Sequence, residues 1–251
     1  MRYYILASGS KGNATVLECK QGRILIDLGL TLIDFNKRLA TFDLSLSDID
    51  AIFYTHKHSD HFYRDYKTID KKIIYTTKET FNHPDINLIE PYNEYNVAGF
   101  NILVLPTSHD APNSVGFVID DGEESMAYMT DTGYISDKNI SFMKNKTYYF
   151  IEANHNERML LQTDRPYVLI QRILGDKGHL SNEASAHYVA EMVGEKTKEI
   201  ILAHLSEEAN TAEIALSAFR KILPKKNIDI SEIEIKAAKQ YIPISGGQSD
   251  N

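Results

Sequence analysis

Thr55-His56-Lys57-His58-Ser59-Asp60-His61 follows directly on the apolar run Ile49-Asp50-Ala51-Ile52-Phe53-Tyr54. The run reads as a strand, and the loop that leaves it carries three histidines and an aspartate. With nine histidines in 251 residues, so many in one loop imply a shared task. The spacing His-x-His-x-Asp-His presents alternating nitrogen and oxygen donors from one tight turn, the donor set that a pair of borderline divalent metals takes. A solvated polar loop is the plainer alternative, and a bare His-x-His would favour it. Four donors converging at a strand end favour metal, provided the rest of the chain supplies the missing ligands.

The composition is that of a soluble globular protein: 43% hydrophobic and 25% charged residues in a chain long enough to bury one large core. The 27 Lys+Arg against 35 Asp+Glu give a net charge of -8. A surface basic overall is excluded, so a nucleic-acid substrate would have to meet a local positive patch or the metals. The sole cysteine, Cys19, cannot form an internal disulfide and makes a zinc-thiolate site improbable. The N-terminal stretch lacks signal-peptide architecture, and no apolar run approaches the roughly 18 residues that span a bilayer. These features predict a cytoplasmic protein with no membrane partner.

Short β-rich runs at 3–7, 14–19 and 23–27 read as consecutive strands separated by turns. Leu32, Phe35 and Leu39 suggest a helix before the strand that ends at the histidine cluster. Further strands are expected at 72–76, 97–105, 114–120, 125–130, 148–152 and 199–203, with Asp121-Gly122 as a turn. One helix is expected to start near Ser181 or Asn182 and stop at Gly194, and another to run from Thr211 to Leu223, bounded by Pro224. The tail from Ile242 to Asn251 is expected to fray. No linker or repeat divides the chain, which predicts a single domain over 1–251. Strands followed by helix, repeated in a second half, fit an α/β architecture of two sheets packed face to face with helices outside.

Four more donor motifs follow strands: Thr107-Ser108-His109-Asp110, Thr130-Asp131-Thr132-Gly133, Gly178-His179-Leu180-Ser181 and Leu202-Ala203-His204-Leu205-Ser206. This recurrence suits a cleft at the rim of a β-sandwich, where the scaffold holds the loops and the loops hold the ions. Together with the first cluster, these motifs resemble the metallo-β-lactamase family. That resemblance runs from about Ala7 to Ser206 and implies its four-layer αβ/βα sandwich. The stretches at 7–14 (ASGSKGNA), 130–137 (TDTGYISD), 152–155 (EANH) and 178–183 (GHLSNE) look like the YycJ/WalJ-type branch. That branch is similar to the RNase Z and RNase J phosphodiesterases and is regarded as a DNA exonuclease group.

Position by position, the resemblance implies His56, His58 and His109 as ligands of one metal, Asp60, His61 and His204 as ligands of the other, and Asp131 as the bridge. Two divalent ions, Zn or Mn, would suit this mixed set, with positions left open for water and phosphate oxygens. Asp60 counts as catalytic as well as ligating. His179 is implied over the substrate phosphate, able to donate to the leaving oxygen; its bland alternative is a residue packed at a helix start. His155 has two even readings, a phosphate or carboxylate contact and a strand-end cap, while Glu152 is read as orienting a ligand. In the loop 8–13, a plain turn and a phosphate-side contact through Ser10 and Asn13 are both open, with the contact slightly favoured. His83 and His187 carry no site signature. After the cluster that branch has a short Gly-Leu-containing helix, whereas Phe62-Tyr63-Arg64-Asp65-Tyr66 follows here, so access near His61 is expected to differ.

Three functions remain open. The leading one is a di-metal phosphodiesterase acting on nucleic acid, most simply a DNA exonuclease. The second is a phosphodiesterase for cyclic nucleotide signals, as in phage counter-defence, with Tyr63, Tyr66, Tyr92 or Tyr95 stacking on a base. The third is a non-catalytic metal-binding protein, disfavoured because every ligand position is filled. A homodimer is compatible with each. Fold alone does not choose among them, but a Lys/Arg-lined groove would favour polymer and a closed pocket a nucleotide.

Overall fold

In the computed structural model, residues 1–62 and 68–247 are described. The first sheet is built from β1 (Arg2–Ala7), β2 (Ala14–Cys19), β3 (Gly22–Ile26), β4 (Ala51–Phe53), β5 (Ile74–Thr76) and β6 (Asn87–Leu88). The second follows the order β13-β12-β11-β10-β9-β8-β7. Its members are β7 (Glu94–Val97), β8 (Phe100–Pro106), β9 (Val115–Asp120), β10 (Ser125–Met129), β11 (Tyr148–Glu152), β12 (Glu199–Ala203) and β13 (Glu234–Ala237). The chain then returns to the first sheet as β14 (Ile244–Gly247), antiparallel to β1. Fraying from Ile242 therefore does not describe Ile244–Gly247, because the bare edge of β1 offers that segment a ladder of backbone partners.

Each sheet begins antiparallel and turns parallel. In the first sheet β1, β2 and β3 alternate in direction, then β3, β4, β5 and β6 run together. The second repeats this, with β7 to β10 antiparallel and β10 to β13 parallel. Parallel strands need crossovers, and helices supply most of them: α1 (Leu32–Leu39), α2 (Asp137–Met143), α3 (Glu157–Leu161), α4 (Tyr167–Leu174), α5 (Asn182–Met192) and α6 (Ala212–Lys225). The expected helices begin where capping residues stand. Thr31 Oγ1 accepts from Asp34 N, Ser181 Oγ from Ala184 N and Thr211 Oγ1 from Ile214 N. The last helix runs through Pro224 instead of stopping before it; the residue sits in the final turn, where Lys226 N closes on the carbonyls of Ile222 and Leu223.

The strand period of two separates three apolar layers. Tyr3, Ile5, Tyr148, Phe150 and Ile201 face the space between the sheets. Their neighbours Tyr4 and Leu6 turn outward to Phe35 and Leu39 of α1. On the other side Tyr149, Ile151, Ile200 and Leu202 meet Val189 of α5 and Phe219 of α6. Strands apolar on both faces are what sheets covered on both sides require. The result is the four-layer αβ/βα sandwich; the ends of β4, β8, β10 and β12 deliver four donor motifs and those of β3 and β11 deliver Asp27 and Glu152. The motif with His179 follows α4 and not a strand as expected, because that stretch lies in the helical crossover between β11 and β12.

Candidate metal centre

Three residues at these strand ends have left-handed backbones: Asp27 after β3 (φ 60), Asp131 beyond β10 (φ 54) and His204 after β12 (φ 54). Such conformations are unfavourable for side chains larger than glycine and persist where surrounding structure fixes them. Here each turns the chain sharply at the rim, next to the other donors.

His56, His58 and His109 bring ring nitrogens within 4.8 Å of one another; a carboxylate oxygen of Asp60 and ring nitrogens of His61 and His204 meet equally closely, and Asp131 groups with His56 and His61. His58 Nδ1 faces His109 Nε2 at 3.2 Å, His61 Nε2 lies 3.1 Å from Asp131 Oδ2, and His204 Nε2 lies 3.5 Å from Asp60 Oδ2. Donors at zinc–nitrogen bond lengths in a tetrahedron stand about 3.3 Å apart, so the observed spacings match ligands around an ion. A second observation agrees. His56 Nε2, His204 Nε2 and Asp131 Oδ2 are buried without a hydrogen-bond partner, which costs free energy unless something else satisfies them. The donor set suits divalent metal binding.

A fourth group, Asp131, Glu152, His179 and His204, also falls within 4.8 Å. Here Glu152 Oε1 receives His179 Nδ1 at 2.8 Å and His204 Nδ1 at 3.0 Å, which is hydrogen-bond geometry, while its Oε2 accepts from the Thr132 and Leu180 amides. Glu152 thus orients two rings and ties three loops together, as the sequence suggested. Asp27 does the same across the site. It accepts from Thr55 N at 2.8 Å and lies 2.7 Å from His61 Nδ1, leaving Nε2 to face the centre. The sequence reading missed Asp27, taking it as the last residue of a strand; an acid closing the apolar run Ile24-Leu25-Ile26 was the available signal.

Burial and charge compete throughout. Burial pulls the His204 ring down, yet Asp131, Asp60 and Glu152 outweigh it and carry the ring up to about 10. His61 likewise is held well above the ordinary imidazole range despite burial, through Asp131, Asp27 and Asp60. Burial and the neighbouring His61 push His56 well below that range. Burial pushes the Glu152 carboxyl up, but His179 and His204 hold it at about 2. The centre is a dense array of mutually compensating charges, the arrangement typical of working sites.

A cavity of about 480 Å³ opens over these groups, lined by Ser10, His58, Asp60, His109, Asp131 and His179 among others. Of the residues read as substrate contacts, Ser10 and His179 line this cavity. Asn13 and His155 do not line it. Asn13 is buried, and its amide is spent on the carbonyls of Gly9 and Asp60, an inward role that locks the loop 8–13 against the histidine loop. The same nitrogen lies 2.9 Å from His61 Nε2, so three neighbours surround its two hydrogens. His155 is buried at 1% exposure, with its backbone bridging Ser181 and neither ring nitrogen hydrogen-bonded. Tyr92 and Tyr95 lie outside the cavity: Tyr92 is stacked under Lys138, and the Tyr95 hydroxyl accepts from Glu90 N. Tyr63 and Tyr66 lie outside the described residues.

The chain matches the Beta-lactamase superfamily domain over residues 22–205. It belongs to that superfamily, with the metallo-β-lactamase fold. Among named proteins it is 35% identical over 238 residues to exodeoxyribonuclease WalJ of Streptococcus pneumoniae, covering 85% of each chain. It is 28% identical over 250 residues to exodeoxyribonuclease YycJ of Bacillus anthracis, covering 92% of each. The metallo-β-lactamase fold protein YhfI from Bacillus subtilis superposes with a TM-score of 0.70 at 17% identity, over 98% of this chain and 100% of that one. Among the described residues no helix is long and apolar enough to cross a membrane.

Proposed function

We propose that the protein is a di-metal phosphodiesterase that hydrolyses DNA as an exonuclease, with Zn or Mn as its metals. The observation that carries this reading is that His56 Nε2, His204 Nε2 and Asp131 Oδ2 are buried and unpartnered within adjoining donor groups, the His56 group and the His204 group both including Asp131, beside an open cavity. In it His56, His58 and His109 hold one ion, Asp60, His61 and His204 the other, and Asp131 both. Two such ions, when bound, polarise a phosphoryl oxygen and make water a better nucleophile. The chain's own groups do the rest. Asp27 and Glu152 fix the tautomers of His61 and His204, so that Nε2 of each is the ligating atom. Glu152 also takes Nδ1 of His179, leaving Nε2 of that partly buried ring to donate to the leaving oxygen.

Polymer is favoured over cyclic nucleotide by the shape of the mouth. Arg165 and Glu208 line both the cavity and an adjoining depression of about 750 Å³, which makes an open path beside the centre. Among the described residues the rings lining the cavity are imidazoles, with no aromatic platform for a lone base. The names of the relatives at 28 and 35% identity supply DNA as the polymer. The test is a turnover screen on chelator-stripped protein reloaded with Zn or Mn, offering single-stranded DNA, RNA and cyclic mononucleotides. Metal-dependent release of mononucleotides from DNA ends is expected. Preference for a cyclic nucleotide, or no turnover with two ions bound, would overturn the proposal.

A further inference from the structure

We infer that Arg165 and Arg172 form a phosphate track that carries a single polynucleotide strand out of the cavity, an inference that rests on the phosphodiesterase reading above. Leu169, Arg172 and Ile173 line the cavity at the spacing i, i+3, i+4, one face of α4, and Arg165 joins them from the bend before that helix. The face opposite carries Tyr167 and Val168, 71% and 80% exposed, so the helix lies beside the mouth with Arg172 on its cavity side and Arg165 just before its start.

The arginines serve different positions. Arg172 grips Asp110, whose other oxygen lies 3.3 Å from His109 Nε2 and 3.7 Å from His58 Nε2, so this guanidinium stands at the edge of the metal centre. Arg165 pairs with Glu208 at 2.8 Å and reaches Ser206 Oγ at 3.5 Å, on the His204 side and at the lip of the adjoining depression. Arg165 stands before the non-helical N-cap Pro166 and Arg172 in the last turn of α4, so the two guanidiniums belong to opposite ends of this element. Each therefore takes its own phosphate along a strand, Arg172 near the scissile one and Arg165 farther out. A guanidinium suits this work, because its fork matches two phosphate oxygens.

Both cations are neutralised in the free protein, and the counter-ions differ in freedom. Glu208 is 64% exposed, so an incoming phosphate can displace it by rotation of its side chain; Asp110 is held by the site histidines as well. A net charge of -8 gives no general attraction for DNA. Affinity has to come from exchange at these pairs, which makes Glu208 a competitor that weakens binding.

The test measures fluorescence anisotropy of a length series of labelled single-stranded oligodeoxythymidylates with the full, metal-loaded chain across a salt range, alongside KM and kcat on the same strands. Affinity should rise as strands become long enough to reach Arg165. Arg165→Gln and Arg172→Gln should each raise Kd roughly 10-fold and flatten the log–log salt dependence by about 0.7. Glu208→Gln should tighten binding severalfold. Affinity independent of length, or variants with the salt dependence of the parent, would overturn the track. Turnover with an unaltered salt dependence would overturn the track alone; arginine-dependent binding without turnover would overturn the hydrolytic reading alone.

Discussion

At Asp27 a carboxylate with no exposure sits between the Thr55 amide and the His61 ring, far from any solvent that would stabilise its charge. Burial pushes its carboxyl up, and His61 and Thr55 pull back. Its value is positional: it decides which His61 nitrogen faces Asp131. Asp27→Ala should therefore cost roughly 10- to 100-fold in metal affinity, and about 1–3 kcal/mol in stability from the stranded Thr55 and His61 donors. Competition with a chromophoric chelator and urea unfolding measure the two; unchanged affinity would remove Asp27 from the centre. His179 answers to a different test. His179→Ala should keep its metals yet lose roughly 10² to 10⁴-fold in kcat on DNA. The loss should shrink on a nitrophenyl phosphodiester, whose phenolate leaves without a proton. An equal loss on both substrates would make His179 a phosphate-binding residue instead of an acid.

Secondary-structure elements reach the site through close backbone approaches. A Cβ on Gly29 would stand 1.7 Å from the Asp60 carbonyl oxygen, so the turn after β3 and the histidine loop touch through backbone alone. That contact is continued by Asn13 N, which donates to Asp60 O at 2.7 Å. Gly178 does the same for the loop carrying His179: its Cβ would fall 2.1 Å from the Ile173 carbonyl oxygen at the end of α4. The His179 amide closes the junction with a 3.0 Å bond to that carbonyl. Gly178→Ala should thus push the loop off α4 and displace His179 from Glu152, lowering kcat at least 10-fold while metal content stays near that of the parent. Elemental analysis and single-turnover rates separate the outcomes; full activity would mean that the loop absorbs a methyl group.

For the molecule as a whole, the two sheets depend on a closing strand far away in sequence. Arg2 pairs with Gly247 and Ile5 with Ile244, so β14 covers the edge of β1. Tyr3 of β1 then packs edge-on to Tyr148 of the second sheet, with ring centroids 5.9 Å apart. A chain ended after Pro243 should lose several degrees in Tm and gain concentration-dependent association through the bared edge. Light scattering during thermal unfolding reads both, and a truncated chain that melts and scatters like the parent would show that β14 adds nothing to closure.

The sequence by itself determined the layers and the donors. Runs such as Tyr148-Tyr149-Phe150-Ile151 are apolar on both faces, which only a covered sheet tolerates, and the His-x-His-x-Asp-His spacing encodes a metal loop locally. Helix starts near Ser181 and at Thr211 were equally legible, because capping is a contact between residues three apart. Other features were not. Helices α3 and α4 carry weak local signals, and the inward face of α4 has meaning only once the chain has laid it over the cavity. Asn13 reads as a phosphate ligand in a Gly-rich loop, yet the fold turns its amide inward to bind the backbone of Asp60. Asp27 and β14 act on partners tens to hundreds of residues away, as in the pairing of Ser8 Oγ with the His204 amide, and the same distance hid the partners of Glu152 though its orienting role was read. Periodicity and spacing report only local neighbours; which carboxylate meets which imidazole is decided when both sheets close and their strand ends come to one rim.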